Sequence, residues 1–438
     1  MRFFIRFAAA GIFVLSLWLV GCRSAPTRLI LFVSGNSVGY LEPCGCRTDQ
    51  SGGLPGRARV ISGDRGSMVV LDVGNLTAGT KPYDLLKLKY LMQGMKSIGY
   101  DAVNLGKHEA ELDLPTLQGV VGSSGLPFVS ANVVARATGK CVAEPYRIIA
   151  RGSAKIGVVG VTGCEPTDVG PGLTVRPAIE ALSELVPQLR TKCDYLVVLA
   201  FVDDEHIREI ADKLHEVDCI LGGDVAQPSG AVQVMNRAAV FNMAEKGKIV
   251  GKIELQRDGN TYAVASSAAI RIAADKVQPP PAIADLLVHY KSELRNRRFE
   301  LASAEGMERI EGSSSTADEF VGAAACLKCH AGAHKTWVDS THSHAFETLK
   351  AKGSEFDPEC LKCHTVGYGL AGGFADAATT PNLEGVGCEN CHGRGKEHIA
   401  TQTKRTLKPV TPSTCISCHD TESSENFHYA TFWPKIKH

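Results

Sequence analysis

Apolar and polar positions alternate along this chain in two different ways. From Arg28 to about Ile272, short apolar runs such as Leu29–Val33, Met68–Leu71 and Tyr195–Ala200 read as buried strands. Between them lie amphipathic stretches with helical spacing, for example Tyr83 to Ile98 and Ile179 to Leu189. Strand and helix alternate, so the pattern predicts an α/β domain with a largely parallel, layered sheet. Val232 to Ala269, with Gly259-Asn260 as a turn, reads as antiparallel hairpins. Pro279-Pro280-Pro281 closes this part, and Ala282 to Leu301 has helical periodicity with Arg295, Arg297 and Arg298 on it, expected as the solvated face of a connecting helix. Gly312 to Thr316 reads as a flexible linker. Beyond Phe320 the periodic signal fades, and a mainly α, irregular domain is expected there.

Cysteine and histidine explain that change. Cys-x-x-Cys-His occurs four times: Cys326-Cys329-His330, Cys360-Cys363-His364, Cys388-Cys391-His392 and Cys415-Cys418-His419. Each is the attachment signature of a c-type haem, in which the two thiols form thioethers and the adjacent imidazole is the proximal iron ligand. Zinc sites use the same residues but rarely place a His directly after the second Cys four times over. Four covalent haems are therefore expected, and such groups supply a core that side chains need not build. Six other histidines share this region: His334, His342, His344, His398, His428 and His438.

Charge is balanced, 47 basic against 47 acidic residues, which gives no sign of a nucleic-acid partner. Arg2 and Arg6 precede an apolar run from Ala8 to Val20, which ends at Leu19-Val20-Gly21-Cys22. This reads as a bacterial lipoprotein signal, with Cys22 as the lipidated residue. The expected organisation is a signal peptide over 1–21, an anchor over 22–27, the α/β domain over 28–275, a helix and linker over 276–318 and the haem domain over 319–438. Export fits haem attachment, and Arg23-Ser24 after the lipidated Cys favours the outer membrane facing the periplasm. Cys44-Gly45-Cys46 is compatible with a soft-metal or redox site, or with disulfides to Cys141, Cys164, Cys193 or Cys219.

Several upstream segments resemble the 5′-nucleotidase family of calcineurin-like metallophosphatases. They are Gly39 to Pro43, Leu71 to Asn75, Tyr100 to Glu109, Pro127 to Val133 and Lys155 to Thr162. The resemblance implies the fold of that family and a two-metal phosphoesterase site. The ligand positions, however, are changed. Asn36 and Val38 stand where Asp and His are expected, Asn75 replaces the bridging Asp, and Lys107 replaces an Asn ligand. Phe201, Asp224 and Ala226 fill the remaining His positions, and only His108, the family's acid, is kept. No divalent metal and no hydrolase activity are expected there; a ligand-binding pseudo-hydrolase, with Lys107 holding an anion, is the alternative.

Residues 320 to 438 resemble the cytochrome c554 tetrahaem family through Cys326 to His330, Trp337 to Leu349, Cys360 to Gly373 and Gly385 to Gly393. That resemblance implies His398 opposite His330, His342 opposite His392 and His438 opposite His419. It leaves the haem of His364 five-coordinate. His344 and His428 are the alternatives for two of the distal assignments, and His334 is expected at the surface or beside a haem propionate. Electron transfer with extracytoplasmic redox proteins is the expected function. The alternative is redox catalysis on nitric oxide, hydroxylamine or a related nitrogen species, with His364 at the catalytic haem.

Overall fold

The computed structural model describes residues 26–43, 51–243, 246–273, 278–304, 319–420, 424 and 426–438. The expected signal peptide with Cys22, the Cys44 and Cys46 pair and the Gly312 to Thr316 linker lie outside these residues.

The upstream part is a four-layer α/β structure built on two six-stranded sheets. The first has the order Thr261–Arg271, Ile249–Asp258, Arg28–Ser34, Met68–Asp72, Ala102–Asn104, Phe128–Val129. The second has the order Gln233–Met235, Ala238–Asn242, Cys219–Gly222, Tyr195–Phe201, Ala154–Thr162, Tyr146–Arg151. Both are parallel at the centre; the second is antiparallel at both edges, and the first is antiparallel on its Thr261–Arg271 side and parallel to its Phe128–Val129 edge. The expected antiparallel pairings are present, Gln233–Met235 with Ala238–Asn242 and Ile249–Asp258 with Thr261–Arg271 across Gly259-Asn260, and Ala238–Asn242 also runs parallel to Cys219–Gly222.

The period-2 alternation of strand side chains assigns each face. Leu29, Leu31 and Val33 meet Tyr195, Val197, Leu199 and Phe201 in a core between the sheets. The intervening Leu196, Val198 and Ala200 pack against the helices Ala178–Arg190 and Asp204–Lys213. On the other side, Phe32 and Val70 pack under Pro82–Ile98. The helix Pro281–Ala304 joins that same layer through Ile283, Leu286, Leu287, Tyr290 and Leu294, an i, i+3, i+4, i+7 stripe.

A polar residue ties the sheets together. The Asn104 amide donates to the carbonyls of Val73 (3.2 Å), Val161 (2.9 Å) and Leu199 (3.3 Å), which belong to both sheets. Residues 319–438 are organised differently, as short helices and turns around a small cluster of Phe346, Leu349, Leu361, Val366, Phe374 and Leu383. Among the described residues no helix is long and apolar enough to cross a membrane.

Asn104→Ala leaves three buried carbonyls short of a donor and is expected to cost about 1–3 kcal/mol. Denaturant unfolding followed by far-UV circular dichroism checks this, with haem content unchanged.

Candidate functional site

Each attachment motif is wound into a single helical turn, which places the two thiols and the imidazole at i, i+3 and i+4 on one face. The Cys326 and Cys415 carbonyls accept from the His330 and His419 amides at 3.0 and 2.9 Å. Cys360, Cys363 and His364 lie on the helix Pro358–His364, and Cys388, Cys391 and His392 on Cys388–His392. The four motifs also pair in space. The thiols of Cys326 and Cys388 are hydrogen-bonded neighbours, as are those of Cys363 and Cys418. The first site therefore adjoins the third, and the second adjoins the fourth.

Three imidazole pairs face one another across gaps of nearly equal width. Ring centres are 6.0 Å apart for His330 and His398, 6.1 Å for His342 and His419, and 5.9 Å for His392 and His438. A metal–imidazole bond of about 2 Å on each side of an iron places ring centres roughly 6 Å apart. His398 faces His330. His342 and His438 have exchanged partners relative to the expected pairing: His342 faces His419, and His438 faces His392. Distal ligands come from remote loops, and their distance along the chain from a motif does not say which site they cross to. Among the described residues no second imidazole stands at that spacing from His364. His334 packs edge-on against Trp337, and His344 pairs with Glu347.

Backbone carbonyls orient several of these rings. His364 Nδ1 donates to Ala345 O at 2.7 Å, His398 Nδ1 to Thr403 O at 3.0 Å and His438 Nδ1 to Ile436 O at 3.0 Å. Such bonds fix the tautomer and leave Nε2 free for a metal. Burial lowers the pKa values of His342, His392 and His419, which favours the neutral, ligating form. Five of the eight large apolar side chains exposed among the described residues also lie here: Leu327, Val338, Leu370, Ile399 and Ile416. Leu327 and Ile416 are within attachment motifs, and Ile399 adjoins His398. Donor set, tautomers and uncovered apolar surface all fit haem.

Two residues that the motif reading passed over hold this frame. The carboxylate of Glu389, which is 4% exposed, accepts from the amides of Val321, Gly322 and Gly395. Asn390 donates to Thr365 O at 2.9 Å, linking the third motif to the residue after His364. The available signal was the polar Glu-Asn between the third pair of cysteines, where the first two motifs carry Leu-Lys.

The upstream cleft keeps its loops without its ligands. Asn75 Nδ2 donates to Asn36 Oδ1 at 2.7 Å, and Asn75 Oδ1 accepts from the His108 amide, so Asn75 links the two loops. Asn36, Val38 and Asn75 all have left-handed backbones, with φ of 50°, 46° and 63°. For Val38 that conformation is a strained outlier. Glu109 accepts from the amides of Asn75, Leu76, Thr77 and Gly106 and holds the loops in place. Lys107 pairs with Asp168 at 3.2 Å, so its charge already has a carboxylate partner. Phe201 is buried against Val73 and Gly223. Among the described residues no group of three or more His, Cys, Asp or Glu is placed to hold a metal ion. Cys141, Cys164, Cys193 and Cys219 form no disulfide with one another, and burial raises the pKa of every one; Cys44 and Cys46, their expected partners, lie outside the described residues.

Comparison with known proteins separates the two parts in the same way. Residues 325–393 match the family model of cytochrome c554 and c-prime. This part is a c554-like multihaem cytochrome region. Cytochrome c-554 of Nitrosomonas europaea is 37% identical over 101 residues, covering 19% of this chain and 43% of that protein. The 5′-nucleotidase of Vibrio cholerae is 28% identical over 187 residues, covering 38% of this chain and 34% of that protein. The chain thus spans less than half the length of these curated relatives. The 5′-nucleotidase precursor of Thermus thermophilus superposes with a TM-score of 0.54 at 21% identity, over 61% of this chain and 59% of that one. The upstream part accordingly has a metallophosphatase-like fold, and the downstream part implies covalent haem c.

Glu389→Ala strands three backbone donors and is expected to destabilise residues 319–438 by about 2–4 kcal/mol. Thermal unfolding monitored at the Soret band measures it, with intact mass showing unchanged haem attachment.

Proposed function

We propose that this protein is an exported electron-transfer cytochrome with four covalent haems, three of them closed by two histidines and one open. The observation that carries this reading is the set of three imidazole pairs at about 6 Å, beside a fourth proximal residue, His364, with no such partner among the described residues. Cys326, Cys329, Cys360, Cys363, Cys388, Cys391, Cys415 and Cys418 hold the groups as thioethers. His330 with His398, His342 with His419 and His392 with His438 provide the axial pairs. When bound, haem iron supplies a one-electron redox couple whose potential the axial ligands tune. Paired imidazoles keep coordination unchanged between oxidation states, which suits transfer over chemistry. The adjacency of Cys326 to Cys388, of Cys391 to Cys415 and Cys418, and of Cys363 to Cys418 supports a run of neighbouring sites, a layout suited to passing electrons along it.

His364 supports a second role within the same reading. Its Nδ1 is committed to Ala345 O, so its Nε2 binds on one side while the opposite side is left to a small ligand. Nitric oxide, hydroxylamine or a related nitrogen species is the ligand class we assign there. Donors and acceptors are expected to be extracytoplasmic redox proteins. The upstream domain is assigned no hydrolytic step, because Asn36, Val38, Asn75, Lys107, Phe201 and Ala226 supply no dication cradle.

Electron paramagnetic resonance of the holoprotein tests the reading. One high-spin and three low-spin haems are expected, with nitric oxide altering only the high-spin signal. His438→Ala should convert one low-spin haem to high-spin while the intact mass still shows four haems. A fully low-spin wild type would exclude the open site. The membrane anchor is tested separately: Cys22→Ser should move the protein from the membrane fraction to the soluble exported fraction, and an unchanged distribution counts against lipidation at Cys22.

A further inference from the structure

The helix that carries His364 is held from outside the haem region. Tyr83 and Lys87 stand one turn apart on Pro82–Ile98. The Tyr83 hydroxyl donates to Asp357 Oδ1 at 2.7 Å, and the Lys87 ammonium donates to both oxygens of Glu359 at 2.9 Å. Asp357 is the N-cap of Pro358–His364 and accepts from the Glu359 amide. The Lys87 side chain is 5% exposed, and the rings of Tyr40 and Tyr83 lie 5.2 and 5.1 Å from its nitrogen.

A second helix, Pro281–Ala304, grips the same segment. Lys291 donates to Lys352 O at 2.9 Å and pairs with Glu42 at 2.9 Å. The Arg295 guanidinium lies 4.8 Å from the Phe356 ring centre and 3.5 Å from Glu355. The basic cluster on this helix, expected to face solvent, is therefore partly a contact surface. Residues 352–359 join the helices Ala345–Lys352 and Pro358–His364. The first supplies the carbonyl that orients His364, and the second carries His364 itself. Imidazole orientation thus follows from how these two helices are set against each other, and the loop between them is fixed by the upstream domain.

We propose that Tyr83, Lys87 and Lys291 are positioning residues for the His364 site, so that the metallophosphatase-like domain serves as the clamp of the one haem without an opposing imidazole. The identification of that haem as open rests on the function proposed above. Lys87 also ties the clamp to the old metal loop: a Cβ on Gly39 would stand 3.0 Å from its Cε, and Tyr40 stacks on its charge.

The test uses the full-length holoprotein with Lys87→Met, Lys87→Arg and, as control, Lys213→Met, which removes an ion pair to Glu209 within the helix Asp204–Lys213. In Lys87→Met, amide exchange at residues 352–364 should accelerate about tenfold or more, as a half-buried carboxylate loses its partner. The potential of the high-spin haem should fall, because the Glu359 charge is no longer balanced, while the three low-spin potentials stay fixed. Lys87→Arg should restore both readouts, and Lys213→Met should match wild type. Unchanged exchange, or an equal shift of all four potentials, overturns the clamp. A wild type with only low-spin haems removes the open-site reading, and the exchange comparison then decides the clamp by itself.

Discussion

Residues 319–438 cannot close a core from their own side chains. The apolar cluster there consists of six buried residues, while five large apolar side chains among the described residues stay exposed. Ordering the backbone costs about 1–2 kcal/mol per residue, far more than burial on that scale returns. The region therefore depends on groups that enter the fold by covalent attachment. The motifs are single helical turns because the chemistry needs two thiols and an imidazole on one face. The remaining contacts, such as Glu389 on three amides and Asn390 on Thr365 O, keep these turns in register with one another.

That dependence decides what could be read in advance. Attachment residues were legible because covalent chemistry demands them at fixed, contiguous spacing. Strands such as Tyr195–Phe201 were legible because burial on both faces leaves an unbroken apolar run. Distal pairing was not, since a ligand's partner depends on how loops cross in space. His342 and His438 are each far in sequence from the imidazole they face, and no local pattern distinguishes His392 from His419 as the target. The contact role of Arg295 was equally invisible: a basic cluster on a helix looks the same whether it meets water or Phe356.

The upstream cleft keeps the shape of its loops with altered side chains inside it. Loop conformation there is set by backbone hydrogen bonds to the buried Glu109 carboxylate, which does not depend on metals. Asn75 then donates to Asn36 across the space between the loops. Val38 retains a left-handed backbone that its β-branched side chain disfavours, a cost of about 1–2 kcal/mol carried by the surrounding bonds. A resemblance in sequence accordingly reports the fold of this domain directly, whereas the side chains inside the cleft have to be read one by one.

The two parts meet through charged and hydroxyl groups instead of a broad apolar patch. Paired buried charges contribute little net stability, because desolvation offsets most of their attraction. Their value lies in direction: a Lys between two carboxylate oxygens and two tyrosine rings tolerates few alternative placements. Pro281–Ala304 reinforces this, since its apolar stripe belongs to the upstream core while Lys291 and Arg295 reach residues 352–356. One helix thus serves as a wall of the first domain and a brace for the second. Rotation of the His364 hairpin would have to break these polar contacts together, so the orientation of that imidazole is coupled to the folding of a domain that has no metal ligands of its own among the described residues.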